Sequence, residues 1–332
     1  MSRYFINLSV RYHFLKKNVP VITDSEKIKY FITLLSNSVT KDVVNELTAS
    51  EYSNSSLLAL TKDWNLFVEF CLSKSVDAIP ASTTAVRLFI EKSSTNRKFA
   101  SLKRYIVTIS LFHKVLGLPD PTKNSRVQST LASLRIDKKG DHQSTNALTR
   151  PHLTQLHQQL IRSQEIKDWR DLAIYHVMFE GLLRRSELRD LHLEQIKVNH
   201  DYISIFIGQD ELALTKEASL ALYRWLNVRG NQGEFVFTAI DRHGNLSYEQ
   251  LNDSSIYRTI RRASEILGSK INFSGQSLRV GAAQELAQQG VKVRDIQYAG
   301  RWLSPAMPYQ YIGNKAKAEL EKMRYLSFSY LE

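Results

Sequence analysis

Two tyrosines near the end of the sequence have a type and spacing suited to chemistry. The stretch AGRWLSPAMPYQYIGN, residues 299–314, contains Tyr309 and Tyr311, and Trp302 lies nine residues before Tyr311. A tyrosine in this place either packs a short helix into a core or uses its hydroxyl group as a nucleophile. Other residues of the sequence decide between these two interpretations.

Two arginines precede the tyrosines, each in a helical segment. The segment GLLRRSELRDL places Arg184 at the end of an apolar helix and Glu187 one turn later. The segment SGQSLRVGAAQELAQQG places Gln276 and Arg279 at the start of another helix. Guanidinium groups hold phosphate oxygens with paired hydrogen bonds and stay charged at any working pH. A tyrosine beside two of them can attack a phosphodiester and conserve its energy as a covalent bond.

The charge balance indicates a polyanionic partner. Among 332 residues, 45 Lys and Arg stand against 33 Asp and Glu, which gives a formal net charge of +12. This balance favours nucleic acid or an anionic membrane surface. Apolar stretches such as LAIYHVMF are far shorter than the roughly 20 residues of a membrane span, and the N-terminal segment lacks the pattern of a signal peptide. The sequence therefore predicts a cytoplasmic protein with a nucleic-acid partner and no membrane.

The elements that would position these residues are mostly helical. Apolar residues recur with a 3.6-residue period, for example in SLLALTKDWNLFVEFCLSK, and this period is typical of amphipathic helices. The period is lost in the polar segment DKKGDHQSTNA, residues 137–147, which predicts a linker. The segment DYISIFIGQDELALT and a strand near Ile196 predict one three-stranded sheet near residues 195–214. In the second half, helices are predicted over 252–267, 277–289, 292–298, 305–312 and 316–326.

In their order and spacing, the three segments resemble the tyrosine site-specific recombinases of the phage integrase family. The similarity covers most of the chain and includes the run RVGAA that begins at Arg279. The register of LLRRSEL selects Arg184 rather than Arg185 as the family arginine. The nine-residue interval after Trp302 selects Tyr311 rather than Tyr309.

This resemblance implies a mainly α-helical fold. It predicts an N-terminal helical core-binding domain of the SAM-like type and a C-terminal catalytic domain with a small three-stranded antiparallel sheet, which together form a C-shaped clamp on DNA. The predicted parts are an N-terminal extension, the core-binding domain, the linker, the catalytic domain and a helical tail for contacts between protomers: residues 1–40, 41–136, 137–147, 148–315 and 316–332.

The resemblance also implies roles for individual residues. Tyr311 is the expected nucleophile, which forms a 3′-phosphotyrosine as in type IB topoisomerases, and Arg184 and Arg279 are the expected phosphate clamps. Trp302 is expected to donate its indole N–H to the phosphate, and Glu187 to orient the basic cluster. The implied enzyme is a recombinase of mobile DNA that requires no cofactor. It is expected to act as a dimer on one site and as a tetramer on two synapsed sites.

Two positions depart from the family pattern. Gln276 occupies the place of a histidine, and glutamine cannot exchange a proton near neutral pH. The hairpin GQDELALTK places Glu211 where the family has a lysine that protonates the leaving 5′-oxygen, and Lys216 lies beyond it at a predicted strand end. Lys216 is either a substitute acid or a solvated side chain. Because general acid–base catalysis is worth about 10²–10⁴ in rate, the sequence allows a slow enzyme or a non-catalytic DNA-binding protein of the same fold.

Basic residues in both predicted domains are candidate DNA contacts. The helix SSIYRTIRRASEIL carries three arginines outside its apolar face, and the turn DRHGN follows the extended segment FVFTAI. A solvated basic face is the alternative interpretation of that helix. The predicted contacts are Lys98, Lys103, Arg104, Arg242, His243, Arg258, Arg261 and Arg262.

Two further features bear on cofactors and assembly. The nine histidines show no ligand spacing, and the single cysteine, Cys71, lies in the apolar run WNLFVEFCL. The sequence therefore predicts no metal site and no disulfide. Beyond the tyrosines, Leu320, Met323 and Leu326 recur at helical spacing. A short helix must bury such a stripe, either on its own domain or on a neighbouring protomer.

Overall fold

The computed structural model describes residues 19–138, residue 140 and residues 145–328. The chain divides into two compact units, with the boundary between Gln143 and Ser144. That boundary lies within the segment predicted as a linker. The predicted fold class, mainly helical with a small antiparallel sheet, is confirmed.

The described part of the first unit is helical. Its helices are α1 (Ser25–Leu35), α2 (Lys41–Leu47), α3 (Asn54–Leu72), α4 (Thr83–Ser94), α5 (Phe99–Val115) and α6 (Ser125–Asp137). Aromatic side chains fill the core, where the Trp64 ring lies 5.6 Å from Phe67 and 4.8 Å from Phe112 between centroids. The Trp64 indole donates a hydrogen bond of 3.1 Å to the Leu35 carbonyl. This bond satisfies the one polar group of a fully buried side chain.

Helix α1 belongs to this core, although the sequence prediction assigned residues 1–40 to an extension. Phe31 and Leu35 of α1 are buried in the same hydrophobic cluster as α3 and α5. The Asp24 carboxylate caps the helix by accepting a 2.9 Å hydrogen bond from the Glu26 backbone N–H. The described residues of the predicted extension therefore include a packed helix.

The second unit carries the candidate catalytic residues. Its helices are α7 (Arg150–Leu160), α8 (Ile166–Glu180), α9 (Arg185–Arg189), α10 (Lys216–Arg229), α11 (Asp253–Ile266), α12 (Ser277–Gln288), α13 (Val293–Ala299), α14 (Ala306–Tyr311) and α15 (Lys315–Phe328). Helix α8 is buried along nearly its whole length, from Asp168 to Glu180 apart from Trp169, which is half-buried. A helix that is buried on all sides forms the centre of a domain, and α7, α10 and α12 pack around it.

The predicted three-stranded sheet is present near residues 195–214. Strands β1 (Ile196–Val198), β2 (Ile203–Ile207) and β3 (Asp210–Ala213) pair antiparallel in that order. The β2–β3 turn contains only Gly208 and Gln209, because Ile207 pairs directly with Asp210. Gly208 has a φ of 65°, a value that a two-residue hairpin turn commonly requires and that glycine adopts without strain.

A second sheet lies outside the sequence prediction. Strand β4 (Thr238–Ile240) pairs antiparallel with β5 (Leu246–Gln250), and the register shifts between Thr238 and Ile240. The sequence analysis identified the first strand and the turn but not the second strand. The residues of β5, LSYEQ, are half-buried or exposed, so this short strand has no fully buried apolar face. Across the described residues, no helix is long and apolar enough to cross a membrane.

We expect Gly281→Ala to destabilise the second unit strongly. A Cβ atom at Gly281 in α12 would lie 1.7 Å from the Leu148 carbonyl oxygen, and the backbone there is held because Leu148 N–H donates to the Ser277 carbonyl at 2.9 Å. Overpacking against fixed backbone costs about 3 kcal/mol. Urea unfolding measures the loss. The control is Gln288→Ala, an exposed position of the same helix; equal stability of the two variants would contradict this packing.

Candidate active site

The candidate site is built from two turns, the start of one helix and the end of another. The turn between α8 and α9 contains Leu182 with a φ of 47°, and the turn between α13 and α14 contains Arg301 with a φ of 55°. These left-handed residues reverse the chain sharply, at a conformational cost that glycine would avoid. The first residues of α12 and the end of α14 complete the site.

Arg184 and Glu187 are joined around the start of α9. The Glu187 carboxylate accepts a 2.7 Å hydrogen bond from Arg184 Nη1 and a 2.6 Å hydrogen bond from the Arg184 backbone N–H. Arg184 Nη2 donates to the Arg301 carbonyl. The Arg184 side chain remains 43% exposed, so its guanidinium is accessible from solvent.

Arg279 is buried behind this pair. Its side chain is only 4% exposed, and its Nη1 lies 3.8 Å from Glu187 Oε2, beyond hydrogen-bond distance. Nη2 donates a 2.7 Å hydrogen bond to the Gly300 carbonyl. Among the described residues, Nη1 of Arg279 is a buried donor without a hydrogen-bond partner. Burial, followed by the positive charge of Arg184, lowers the pKa of Arg279 to about 10, so the group stays cationic near neutral pH.

Trp302 covers the buried arginine. The Arg279 guanidinium carbon lies 4.6 Å from the centroid of the Trp302 ring, which is a cation–π distance. The ring fits only because residue 300 is glycine, since a Cβ there would lie 2.0 Å from Cζ3 of Trp302. Gly300 thus has two roles: its carbonyl holds Arg279 and its missing side chain admits the indole.

Tyr311 lies against Trp302, with ring centroids 5.6 Å apart in an edge-on arrangement. The Tyr311 hydroxyl donates a 2.6 Å hydrogen bond to Gln276 Oε1, and the residue is 8% exposed. Burial raises the pKa of this hydroxyl above its ordinary value, although the charges of Arg279 and Arg184 act in the opposite direction. Tyr311 therefore rests as a neutral phenol near neutral pH.

Tyr309 has different surroundings, two residues earlier in the same helix. The Lys317 ammonium group lies 5.7 Å from the centroid of the Tyr309 ring. The contacts with Trp302 and Gln276 belong to Tyr311. Of the two tyrosines, Tyr311 is therefore the one joined to the arginine cluster.

Sequence reasoning missed Arg301. Its Nε donates to Glu187 Oε1 at 2.9 Å and its Nη2 donates to Oε2 at 3.0 Å. Burial opposes ionisation of Glu187, but the hydrogen bonds and charge of Arg301, followed by those of Arg184, lower the pKa of this carboxyl. The one available sequence signal was an additional arginine directly before Trp302.

The hairpin offers no lysine to this site. Lys216 was predicted at a strand end, and this placement is wrong: Lys216 is the exposed first residue of α10. Thr215 caps that helix, because its hydroxyl accepts from the Ala218 backbone N–H. The sequence analysis continued the strand pattern one turn too far, past a helix N-cap. Glu211, near which the family lysine was expected, pairs with Phe206 across β2 and β3.

The predicted DNA contacts differ in their availability. In the first unit, Lys98 and Lys103 are exposed. Arg104 is also exposed but forms two hydrogen bonds, of 2.6 and 2.7 Å, with the buried Asp63 carboxylate. Its guanidinium is therefore already engaged by an internal partner.

In the second unit, three of the predicted contacts are exposed and one points inward. Arg242, His243 and Arg258 are exposed, and Arg261 is half-buried. The prediction that Arg262 projects away from the core is wrong. Its guanidinium donates to Asp171 at 3.0 Å and to Asp168 at 2.5 Å. Two buried carboxylates bind it more strongly than solvent would.

Comparison with known proteins places this geometry in a family. The sequence profile of the phage integrase family matches residues 146–318, which include every candidate catalytic residue. An integrase/recombinase xerD homolog of Selenomonas ruminantium is 25% identical over 78% of this chain and 82% of its own length. Recombinase cre of Escherichia phage P1 is 23% identical over 80% of this chain and 84% of its own length.

The fold is similar to that of solved recombinases. A lambda integrase tetramer bound to a Holliday junction superimposes with a TM-score of 0.58 at 16% identity, over 88% of this chain and 82% of that chain. This likeness shows the fold alone. The match to the family profile covers more than half of the sequence and shows the family. The chain belongs to the phage integrase family, the tyrosine recombinases that cleave and rejoin DNA.

Proposed function

We propose that this protein cleaves and rejoins DNA at a specific site by transferring a strand to Tyr311. The observation that carries the proposal is the buried Nη1 of Arg279, a cationic donor without a hydrogen-bond partner in the part of the chain that the structure describes. It lies in a contact chain that runs through Trp302 to Tyr311. Leaving a buried charged donor unsatisfied is costly, and a phosphate oxygen would satisfy it.

The proposed reaction uses the residues as follows. The Tyr311 oxygen attacks the phosphorus, the bond to the 5′-oxygen breaks, and a 3′-phosphotyrosine forms. Arg184 and Arg279 hold the non-bridging oxygens as negative charge gathers on them. Trp302 supports the second arginine and would donate its indole N–H to the phosphate. Glu187 keeps the arginines oriented. The reverse attack by a 5′-hydroxyl rejoins a strand and restores Tyr311.

Proton transfer is the weak step in this scheme. The Tyr311 proton is held by Gln276 Oε1, an acceptor that does not take up a proton near neutral pH. The Tyr311 proton must therefore pass to water, and because the β2–β3 hairpin carries no lysine, the leaving 5′-oxygen must take a proton from water. We propose that cleavage is correspondingly slow.

The proposal extends to the partners and the location of the protein. Lys98, Lys103, Arg242, His243 and Arg258 would contact the phosphate backbone of double-stranded DNA. The first unit would act as the core-binding domain and the second as the catalytic domain. We propose dimers on one site and tetramers on two synapsed sites. We also propose a cytoplasmic, DNA-associated location, in keeping with bacterial and phage relatives.

The second candidate function is site-specific DNA binding without cleavage. The buried, hydrogen-bonded state of Tyr311 and the absence of a histidine at position 276 favour it. Incubation with nicked duplexes from the gene's own replicon separates the two functions. We expect a protein–DNA adduct that survives boiling in SDS. Sequence-specific binding that detergent fully reverses, with no adduct on any bound duplex, would establish the second function instead.

We expect Gln276→His to accelerate cleavage by about tenfold or more, because it places a proton-accepting group beside the Tyr311 hydroxyl. Single-turnover adduct formation at several pH values measures the change, and the variant should gain activity as the pH rises through the histidine range. Gln289→His, at the exposed C-terminal end of the same helix, is the control. A large loss of rate in Gln276→His would indicate that the amide makes a contact essential for cleavage.

We expect the exposed apolar side chains of α15 to support assembly. Leu320 and Met323 are 49% and 57% exposed, while the Leu326 side chain lies outside the described residues. The paired substitution Leu320→Gln with Met323→Gln should leave binding to one half-site intact and abolish cooperative binding to a full site, as should deletion of residues 316–332. Gel-shift titration measures both, with Ala316→Gln as the control. Full cooperativity in the paired variant would mean that assembly uses another surface.

A further inference from the structure

A third arginine is fully directed into the protein beside the two proposed clamps. Besides its two bonds to Glu187, Arg301 donates from Nη1 to the Ala299 carbonyl at 2.8 Å. Its Nη2 also donates to the Gly181 and Leu182 carbonyls at 3.0 and 3.1 Å. Every nitrogen of this guanidinium thus binds the protein. Only one N–H of Arg301, on Nη1, is left without an acceptor among the described residues, whereas both N–H groups of Arg279 Nη1 lack one.

We propose that Arg301 is a positioning residue that occupies the Glu187 carboxylate, and so keeps Arg279 available for a phosphate and Arg184 in a fixed position beside it. This inference rests on the proposed function for its biological meaning, since the phosphate is that of the DNA backbone. The structural claim concerns anion binding alone. It can therefore be tested without any cleavage.

The proposed role of Arg301 follows from competition among the arginines for the Glu187 carboxylate. Glu187 Oε1 accepts from Arg184 and Arg301, and Oε2 accepts from Arg301 and the Arg184 backbone. Both oxygens are therefore occupied, and Arg279 is kept 3.8 Å away. Without Arg301, the half-buried carboxylate would be left short of partners. It would draw in the Arg279 guanidinium, since a buried charge seeks compensation.

The backbone of Arg301 adds a second positioning contact. Its carbonyl accepts a hydrogen bond from Arg184 Nη2. Its φ of 55° is a left-handed conformation that residues other than glycine adopt at a cost. The side-chain bonds to the Gly181 and Leu182 carbonyls hold the turn before α9 against the turn after α13. Arg301 thereby fixes both the position of Arg184 and the distance of Arg279 from Glu187.

The test is a titration of the full chain with inorganic phosphate, followed through the Nε–H resonances of arginine. We expect the Arg184 and Arg279 resonances of the wild-type protein to shift on binding. Arg301→Gln should weaken phosphate binding about tenfold, because charge-assisted bonds to the anion are lost to Glu187. Arg301→Lys keeps the charge but not the two-pronged geometry, and should resemble Arg301→Gln more than wild type. Full phosphate affinity in Arg301→Lys would overturn the proposal and leave charge alone as the cause.

A double-mutant cycle removes the remaining ambiguity. Adding Glu187→Gln to Arg301→Gln removes the competing carboxylate, so phosphate affinity should recover by more than Glu187→Gln raises it in the wild-type protein. Equal effects in the two backgrounds, or wild-type resonances that do not respond to phosphate, would refute the inference. If phosphate binds as expected but no DNA adduct ever forms, the proposed cleavage fails while the role of Arg301 stands. Urea unfolding of each variant confirms that the titrations compare folded proteins.

Discussion

Tyr311→Phe eliminates the covalent protein–DNA adduct and leaves sequence-specific binding within a few-fold of wild type. The substitution removes the oxygen that bonds to phosphorus, and no other nucleophile can regenerate the same intermediate. The phenyl ring keeps the edge-on contact with Trp302 at 5.6 Å, so the fold is preserved. Denaturing gels measure the adduct, and gel shifts measure the binding.

The matched control is Tyr309→Phe, two residues away in the same helix. Tyr309 lies beside Lys317 rather than beside the arginine cluster, so its hydroxyl should be dispensable for adduct formation. A Tyr309→Phe protein that loses the adduct while Tyr311→Phe retains it would exchange the roles of the two residues. Adducts in both variants would contradict the assignment of Tyr311 as the required nucleophile, and an adduct in the double variant would exclude both tyrosines.

Arg279→Lys lowers the rate of adduct formation by about 10³–10⁵. The guanidinium is fixed by the Gly300 carbonyl at 2.7 Å and by the Trp302 ring, which leaves Nη1 preorganised toward an incoming oxygen. A lysine ammonium cannot bind the carbonyl and the phosphate in the same forked geometry. Noncovalent affinity for DNA should change little, because most phosphate contacts are made elsewhere.

Single-turnover kinetics on a nicked duplex measure this loss. The control is Arg185→Lys, which alters the arginine next to Arg184. The side chain of Arg185 lies against Gly275, away from the Glu187 carboxylate that Arg184 binds. We expect its cleavage rate to stay near that of wild type. Retention of more than a tenth of the wild-type rate in Arg279→Lys would show that Arg279 is not a phosphate clamp.

Local signals were sufficient to predict much of the second unit. The predicted helix 252–267 compares with Asp253–Ile266, and 277–289 compares with Ser277–Gln288. Caps explain this agreement: Asn252 accepts from the Ser255 backbone N–H at the start of α11. The β2–β3 hairpin could also be predicted from the sequence, because Gly208 marks its turn.

Long-range contacts explain what the sequence could not reveal. Arg262 lies on a helix face that resembles a solvated basic face, and only the fold brings Asp168 and Asp171 to it. Arg301 seemed incidental because its function depends on a left-handed turn and on Glu187, which is more than a hundred residues away in sequence. No periodic pattern encodes either contact.

The central claim is that Tyr311 becomes covalently bound to DNA, and peptide mapping tests it most directly. Trypsin cleaves after Arg301 and Lys315, and releases WLSPAMPYQYIGNK with both tyrosines. After nuclease digestion of the trapped adduct, fragmentation of this peptide should place the nucleotide remnant on Tyr311. A remnant on Tyr309, on another peptide, or on none would contradict the assignment of Tyr311 as the nucleophile.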